Sequence, residues 1–209
     1  MNIYLTRHST TLWNEEKRLQ GRKDSPLTSE GKENALALRS YISSLSFDQI
    51  YSSPIGRAYN TACLITDQPI IKDDRLKEMD FGIYEGVKIE DILKVDHDLY
   101  NNMWNHPELF TKLPDGESYD EILERIDSFF KELIRKDYKN VLIVTHGMVF
   151  IVTLAYMLKL DRKDYILINQ RVVDGCSLTL FEEIEGTYHK RFIGKNDYLP
   201  HLSNEVFSK

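Results

Sequence analysis

Apolar positions along the chain change period several times, and each change marks an element. NIYLT (Asn2 to Thr6) and VLIVT (Val141 to Thr145) are short apolar, β-branched runs, and the second has the character of a strand buried on both faces of a parallel sheet. A further strand is predicted around Gln49 to Ser52, with Pro54 at the first helical turn after it. Between these runs the spacing becomes helical. Ala35, Leu38, Ile42 and Leu45 follow a Thr28 cap, while Ile122, Ile126, Phe129, Phe130 and Leu133 share one side of a helix that runs from Glu117 to the basic pair Arg135 and Lys136. Met148 to Leu158 forms the helix after VLIVT, and CSLTLFE and TYHKRFI alternate like two closing strands. Strands alternating with helices predict an α/β protein, a three-layer α/β/α sandwich with a mainly parallel central sheet.

Two stretches break this rhythm. NEEKRLQGRKDSPL is rich in charge and turn formers and reads as a long loop. Ile89 to Pro114 is irregular, with short amphipathic pieces and the aromatics Tyr100, Trp104 and Phe110. Within a single domain spanning 1–209, the stretch 86–118 is therefore read as an insertion over the sheet and a candidate lid. No fixed-period repeat, Gly/Ser linker or low-complexity tract divides the 209 residues.

Composition narrows the classes. Apolar residues at 42% exclude disorder as the main state, and a formal charge of −6 excludes a general nucleic-acid or anionic-membrane binder. The longest uncharged apolar run, Met148 to Leu158, is eleven residues, which as helix reaches roughly 17 Å against a bilayer core of about 30 Å. With Arg7 and His8 interrupting the N-terminal apolar stretch, the expectation is a cytoplasmic protein with no membrane partner. Cys63 and Cys176 are far apart, fit neither a disulfide framework nor a zinc site, and are expected to be buried thiols. The histidines show no HxH or HExxH spacing, so no metal or other cofactor is expected.

In open α/β sheets ligands collect beyond the carboxyl ends of strands. Arg7 and His8 directly follow NIYLT, His146 and Gly147 directly follow VLIVT, and Arg57 stands one helical turn after Pro54. Three strand ends thus offer cations or imidazoles to one rim. If the strands are neighbours, the two imidazoles lie roughly 5 to 10 Å apart, close enough to share a small anion. Helix N-termini behind these loops favour the same charge. An arginine fork meets two phosphate oxygens at once, and each unit charge pair at about 4 Å is worth on the order of 4 kcal/mol before desolvation. Local arginines therefore outweigh the diffuse net charge, and a phosphoryl group fits the rim.

The blocks LTRHSTTLWN, RLQGRKDSPLTSEG, SSPIGRAYNTA, LKEMDFGIYEG and VTHG stand in an order that resembles the histidine phosphatase superfamily, the phosphoglycerate-mutase-like group, from Leu5 to the NDYLPHL tail. The resemblance implies metal-free phosphoryl transfer through a phosphohistidine. It gives His8 the nucleophile's part, Glu78 the general acid's, and Arg7, Arg57 and His146 the binding of the phosphoryl oxygens. Asn14 matches a further phosphate contact, Gln20 and Gly21 a loop closing one side of the pocket, and Trp13, Tyr84 and Glu85 supporting positions. One departure is plain: Ser9 and Thr10 follow His8 where the family usually has Gly and then Glu, which brings the loop geometry into question. A backbone carbonyl near His8 can still hold Nδ1–H and present Nε2 as the nucleophile, and neighbouring arginines favour the neutral ring.

The expected activity is hydrolysis of a small phosphate monoester. Phosphoglycerate mutation and non-catalytic phosphate or phosphoprotein binding are the alternatives. The short, acidic segment after Glu78 favours hydrolysis over mutation. Trp104, His106 and Phe110 are candidates for the mouth of the pocket, and Arg22 and Lys23 for a second anionic group.

Overall fold

In the computed structural model the described residues are 1–169 and 174–202, so the last residues of the expected 1–209 span lie outside them. The described residues contain six strands, β1 (Asn2–Arg7), β2 (Gln49–Ser52), β3 (Ile70–Lys72), β4 (Asn140–Thr145), β5 (Leu178–Ile184) and β6 (Thr187–Lys195). They form one sheet in the order β3-β2-β4-β1-β5-β6. β1, β2, β3 and β4 run parallel, while β5 returns antiparallel to β1 and carries β6 as a hairpin. The two closing strands are thus the antiparallel edge of a mainly parallel sheet. Edge strand β3 is only three residues long and half exposed, too short to leave an alternation that the sequence reading could detect.

Alternation along the central strands sends side chains to two cores. Ile3 and Leu5 of β1 and Val141 and Ile143 of β4 pack on one face with α6 (Tyr119–Leu133) and α7 (Gly147–Leu158). Tyr4, Leu142 and Val144 point to the other face, where they meet Ala35 and Leu38 of α2 (Ser29–Tyr41) and Ala58, Ala62 and Ile65 of α3 (Gly56–Ile65). These are the three layers. Thr28 caps α2 through Gly31 N–H, and Ser118 with Glu121 forms a capping box at the start of α6. Cys176 is buried, but Cys63 is exposed on the solvent side of α3, which corrects the expectation for that thiol: the helix turns Ala62 and Ile65 inward and leaves position 63 outside.

The loop expected before Pro26 contains one short helix, α1 (Leu12–Glu15), capped by Thr11. The stretch from Ile89 resolves into α4 (Ile89–Val95) and α5 (His97–Asn105), whose Ile92, Tyr100, Met103 and Trp104 join the α6–α7 core. Among the described residues no helix is long and apolar enough to cross a membrane.

Register brings the site together. Arg7 pairs with Thr145 and Ser52 with Val144, so β1, β4 and β2 end at one edge of the sheet. His8 N–H still donates to Thr145 O at 2.8 Å, which extends the β1–β4 ladder into the residue beyond the strand.

Candidate active site

His8 and His146 leave adjacent strands and their rings lie 5.2 Å apart, centroid to centroid. His8 is 3% exposed and His146 wholly buried. The His8 ring nitrogen Nδ1 lies 2.7 Å from the carbonyl of Ser9. A carbonyl only accepts, so Nδ1 carries the proton and Nε2 keeps its lone pair. That lone pair receives the Nε–H of Arg57 at 3.2 Å. Burial, reinforced by Arg57 and Arg7, holds the His8 imidazole well below its ordinary pKa, against the opposing effect of the Ser9 carbonyl. Burial first, then the charge of Arg57, does the same to His146. Both rings are neutral near pH 7.

Arg57 is the most constrained cation, at 1% exposure. Its other N–H groups donate to Gly21 O at 2.7 Å and Lys23 O at 2.8 Å, with Asp24 Oδ1 at 3.4 Å. Asp24 Oδ1 also accepts the Arg57 main-chain N–H at the start of α3. Glu85 stitches the same loop from the far side: its carboxylate accepts the N–H groups of Arg22, Lys23 and Phe81. Gly21 makes this possible. Its φ is +58°, and a Cβ there would stand 2.0 Å from Glu85 Oε1.

Glu78 lies at the start of α7. Its carboxylate accepts N–H groups from Met79 at 2.8 Å and from Met148 and Val149 at 3.2 Å each, so it takes the place of an N-terminal cap. Gly147 brings the acid and a cation together, since a Cβ built on it would lie 3.6 Å from Arg7 Nε and 3.7 Å from Glu78 Oε2.

These groups surround one open cleft. Arg7, His8, Arg57, Glu78, Gly147, Asn14, Gln20 and Gly21 all line it, as does Trp104. His146 does not. It sits behind His8, with Nε2 on the Ser53 hydroxyl at 2.7 Å and Nδ1 buried without a hydrogen-bond partner among the described residues.

Other expectations need correction. Phe110 is buried edge-on against Tyr119, 5.4 Å between centroids, and His106 stands exposed beside Glu108, so neither lines the mouth. Arg22 pairs with Glu117 and Lys23 Nζ donates to Glu85 O, so neither lines the cleft for a second anion. Of the supporting positions, Trp13 packs over Gly86 and Tyr84 is buried. Ser9 has no positive φ and is wholly buried, with its N–H on Thr61 Oγ1 at 3.1 Å, so the loop keeps its shape without a glycine there.

Sequence reasoning missed Arg18 and an apolar wall of Leu19, Phe81, Met148 and Ile151. Met148 and Ile151 carried a usable signal, being one helical turn apart directly after Gly147. Asp24, Thr61 and Ser53 also escaped notice, although all three stand in or beside the motif blocks. Among the described residues no three His, Cys, Asp or Glu side chains converge to hold a metal ion.

The profile of the histidine phosphatase superfamily (branch 1) matches residues 3–195. The "Putative phosphoserine phosphatase 2" of Hydrogenobacter thermophilus is 39% identical over 148 residues, 69% of this chain and 72% of that protein. The "Probable phosphoglycerate mutase GpmB" of an Enterobacter species is 32% identical over 152 residues, 71% of this chain and 70% of that protein. The solved structure of Bacillus stearothermophilus YhfR superposes with a TM-score of 0.89 at 31% identity, covering 95% of this chain and 98% of that one.

The two neutral buried imidazoles make stability depend on pH. Both native pKa values lie below the ordinary 6.5, so below pH 6.5 the unfolded chain binds protons that the native pair excludes. Stability is expected to be flat from this source above pH 6.5 and to fall below it by about 1.4 kcal/mol per pH unit for each ring. Urea melts between pH 5.5 and 7.5 measure the slope, and His146→Asn should roughly halve it. Separately, Gly21→Ala is expected to destabilise by about 1–3 kcal/mol and to cut turnover of any substrate at least tenfold, because it pushes Glu85 off the loop that holds Arg57. Denaturant midpoints and steady-state rates of this variant are the check.

Proposed function

The chain belongs to the histidine phosphatase superfamily, and on that premise we propose that it is a metal-independent phosphatase that hydrolyses small phosphate monoesters through a phosphohistidine on His8. The observation that carries this reading is the His8 ring itself: Nδ1 is tied to the Ser9 carbonyl, Nε2 is left unprotonated beside Arg57, and the residue lines the cleft together with Glu78.

His8 Nε2 attacks phosphorus in line and the bond to the leaving oxygen breaks. The Arg57 Nε–H that lies on Nε2 turns to a phosphoryl oxygen, and Arg7 offsets charge on the others. Glu78 gives its proton to the departing alcohol. The Nδ1–H bond to Ser9 O supports the positive ring of the phosphohistidine. Water then enters, loses a proton to the Glu78 carboxylate, and attacks phosphorus, which releases phosphate and returns both His8 and Glu78 to their starting states. Asn14 is assigned a phosphate contact through Nδ2, since its Oδ1 is held by Thr11. His146 is assigned a supporting part: held by Ser53, its neutral ring packs beside the nucleophile without lining the cleft.

Hydrolysis is favoured over mutation by the wall opposite the cations. Leu19, Phe81, Trp104, Met148 and Ile151 offer an apolar bed, and the further cation lining the cleft, Arg18, is already paired with Glu16 and Gly86 O rather than left for a phosphoglycerate carboxylate. In this reading the whole chain is one domain, the 86–118 stretch that carries Trp104 closes over the bound ester, and the two free thiols suit a cytoplasmic location.

His8→Ala should lower phosphate release about a thousandfold or more, and rapid acid quench of the unaltered enzyme should leave a phosphoryl adduct on the peptide bearing His8. Absence of the adduct, with a chemically phosphorylated control detected, overturns the reading. Glu78→Gln should cost about 10²–10⁴-fold with alkyl esters and far less with 4-nitrophenyl phosphate, whose leaving group needs no proton. Incubation with 3-phosphoglycerate and a bisphosphoglycerate primer should yield phosphate rather than 2-phosphoglycerate.

A further inference from the structure

The group around Thr11 settles which end of each neighbouring amide is left for a ligand. Thr11 N–H and Thr11 Oγ1–H both donate to Asn14 Oδ1, at 3.0 and 2.8 Å. A main-chain N–H can only donate, so the Asn14 atom it meets must be the oxygen. With its proton spent on Asn14, Thr11 Oγ1 can only accept from Gln20, and Gln20 Nε2 donates to it at 2.9 Å. The amide of Gln20 therefore cannot be turned round. Its Oε1 is the uncommitted end, buried and without a hydrogen-bond partner among the described residues, on a side chain that is 7% exposed and lines the cleft.

An open buried acceptor is unfavourable until a donor reaches it. Phosphoryl oxygens are acceptors themselves and cannot fill that part. The neighbouring wall of Leu19, Phe81, Trp104, Met148 and Ile151 is predominantly apolar, and the nearby carbonyl of Gly21 is already taken by Arg57. Arg18, the donor next along the wall, is committed to Glu16 and Gly86 O, which leaves the remainder of the ester to supply the partner of Oε1.

We propose that Gln20 is a specificity-determining residue that accepts a hydrogen bond from a hydroxyl or ammonium group on the leaving alcohol, so that esters of donor-bearing alcohols are preferred over apolar esters of the same size. The proposal rests on the phosphatase reading above and adds the chemistry of the leaving group to it.

The test is kcat/KM for phosphate release from an isosteric pair, 2-hydroxyethyl phosphate and n-propyl phosphate, with 2-aminoethyl phosphate and 4-nitrophenyl phosphate alongside. The unaltered enzyme should prefer the hydroxyethyl ester over the propyl ester about tenfold. Gln20→Met should bring that ratio close to one. Gln20→Glu, which keeps an acceptor oxygen and adds a charge, should raise the aminoethyl ester relative to the hydroxyethyl ester. Each ratio is read within one protein, so a general loss of activity leaves it intact, and if Gln20→Met does not fold, the unaltered enzyme and Gln20→Glu decide. A ratio at or below one in the unaltered enzyme, or an unchanged ratio in Gln20→Met, overturns the assignment while the phosphatase reading stands. Release from none of the four esters overturns both.

Discussion

A guanidinium buried to 1% exposure must find acceptors for its N–H groups, and the architecture of the cleft follows from how Arg57 finds them. Two carbonyls of the loop at Gly21 and Lys23, the carboxylate of Asp24 and the lone pair of His8 share the donors of one planar fork. A loop of charged and turn-forming residues would otherwise lie loosely over the sheet edge. Here it is drawn against α3 by the arginine and held from the other side by Glu85. The same cation thus folds the loop and stands at the nucleophile, which is why a geometric change at Gly21 reaches the chemistry without touching a reacting atom.

Electrostatics and burial act together on the histidines. Cations near an imidazole oppose its protonation, and so does removal of water. The strand ends impose both, because β1 and β4 are adjacent and their ladder continues through His8 N–H to Thr145 O. Two rings 5.2 Å apart beside Arg7 and Arg57 would repel one another if charged. Neutrality leaves His8 with one proton to place, and the Ser9 carbonyl takes it at Nδ1. The lone pair is directed by a main-chain atom, so its aim does not depend on which side chain follows the histidine.

Much of this was legible in the sequence. The strand-like runs gave five of the six described strands, and the residues at or just after the ends of three of them gave His8, Arg7, His146 and Arg57. What was not legible follows from physical causes. β3 is three half-exposed residues and carries no period. Arg22 and Lys23 are basic residues near the rim, but charge alone does not reveal that Glu117 and Glu85, 95 and 62 positions later, already hold them. Phe110 reads as a mouth aromatic only until α6 supplies Tyr119 for it to pack against. The apolar wall is assembled from residues 19, 81, 104, 148 and 151, which no local window contains together.

Ser9 shows how such a site absorbs a departure from the pattern of its family. A glycine is required where φ is positive or where the backbone comes too close for a Cβ. Ser9 has neither need: its φ is not positive, and its work is done by its N–H on Thr61 and its carbonyl on His8. The close approach in this region is made by the segment before β5, where a Cβ on Gly175 would stand 2.7 Å from His8 O and 2.9 Å from Ser9 Cα. The serine side chain is turned to the buried Cys176, whose thiol burial pushes up to about 12 and keeps unreactive. Steric demand has been met at position 175 and hydrogen bonding by main-chain atoms at position 9, so the loop that aims His8 tolerates a hydroxymethyl group without altering either constraint.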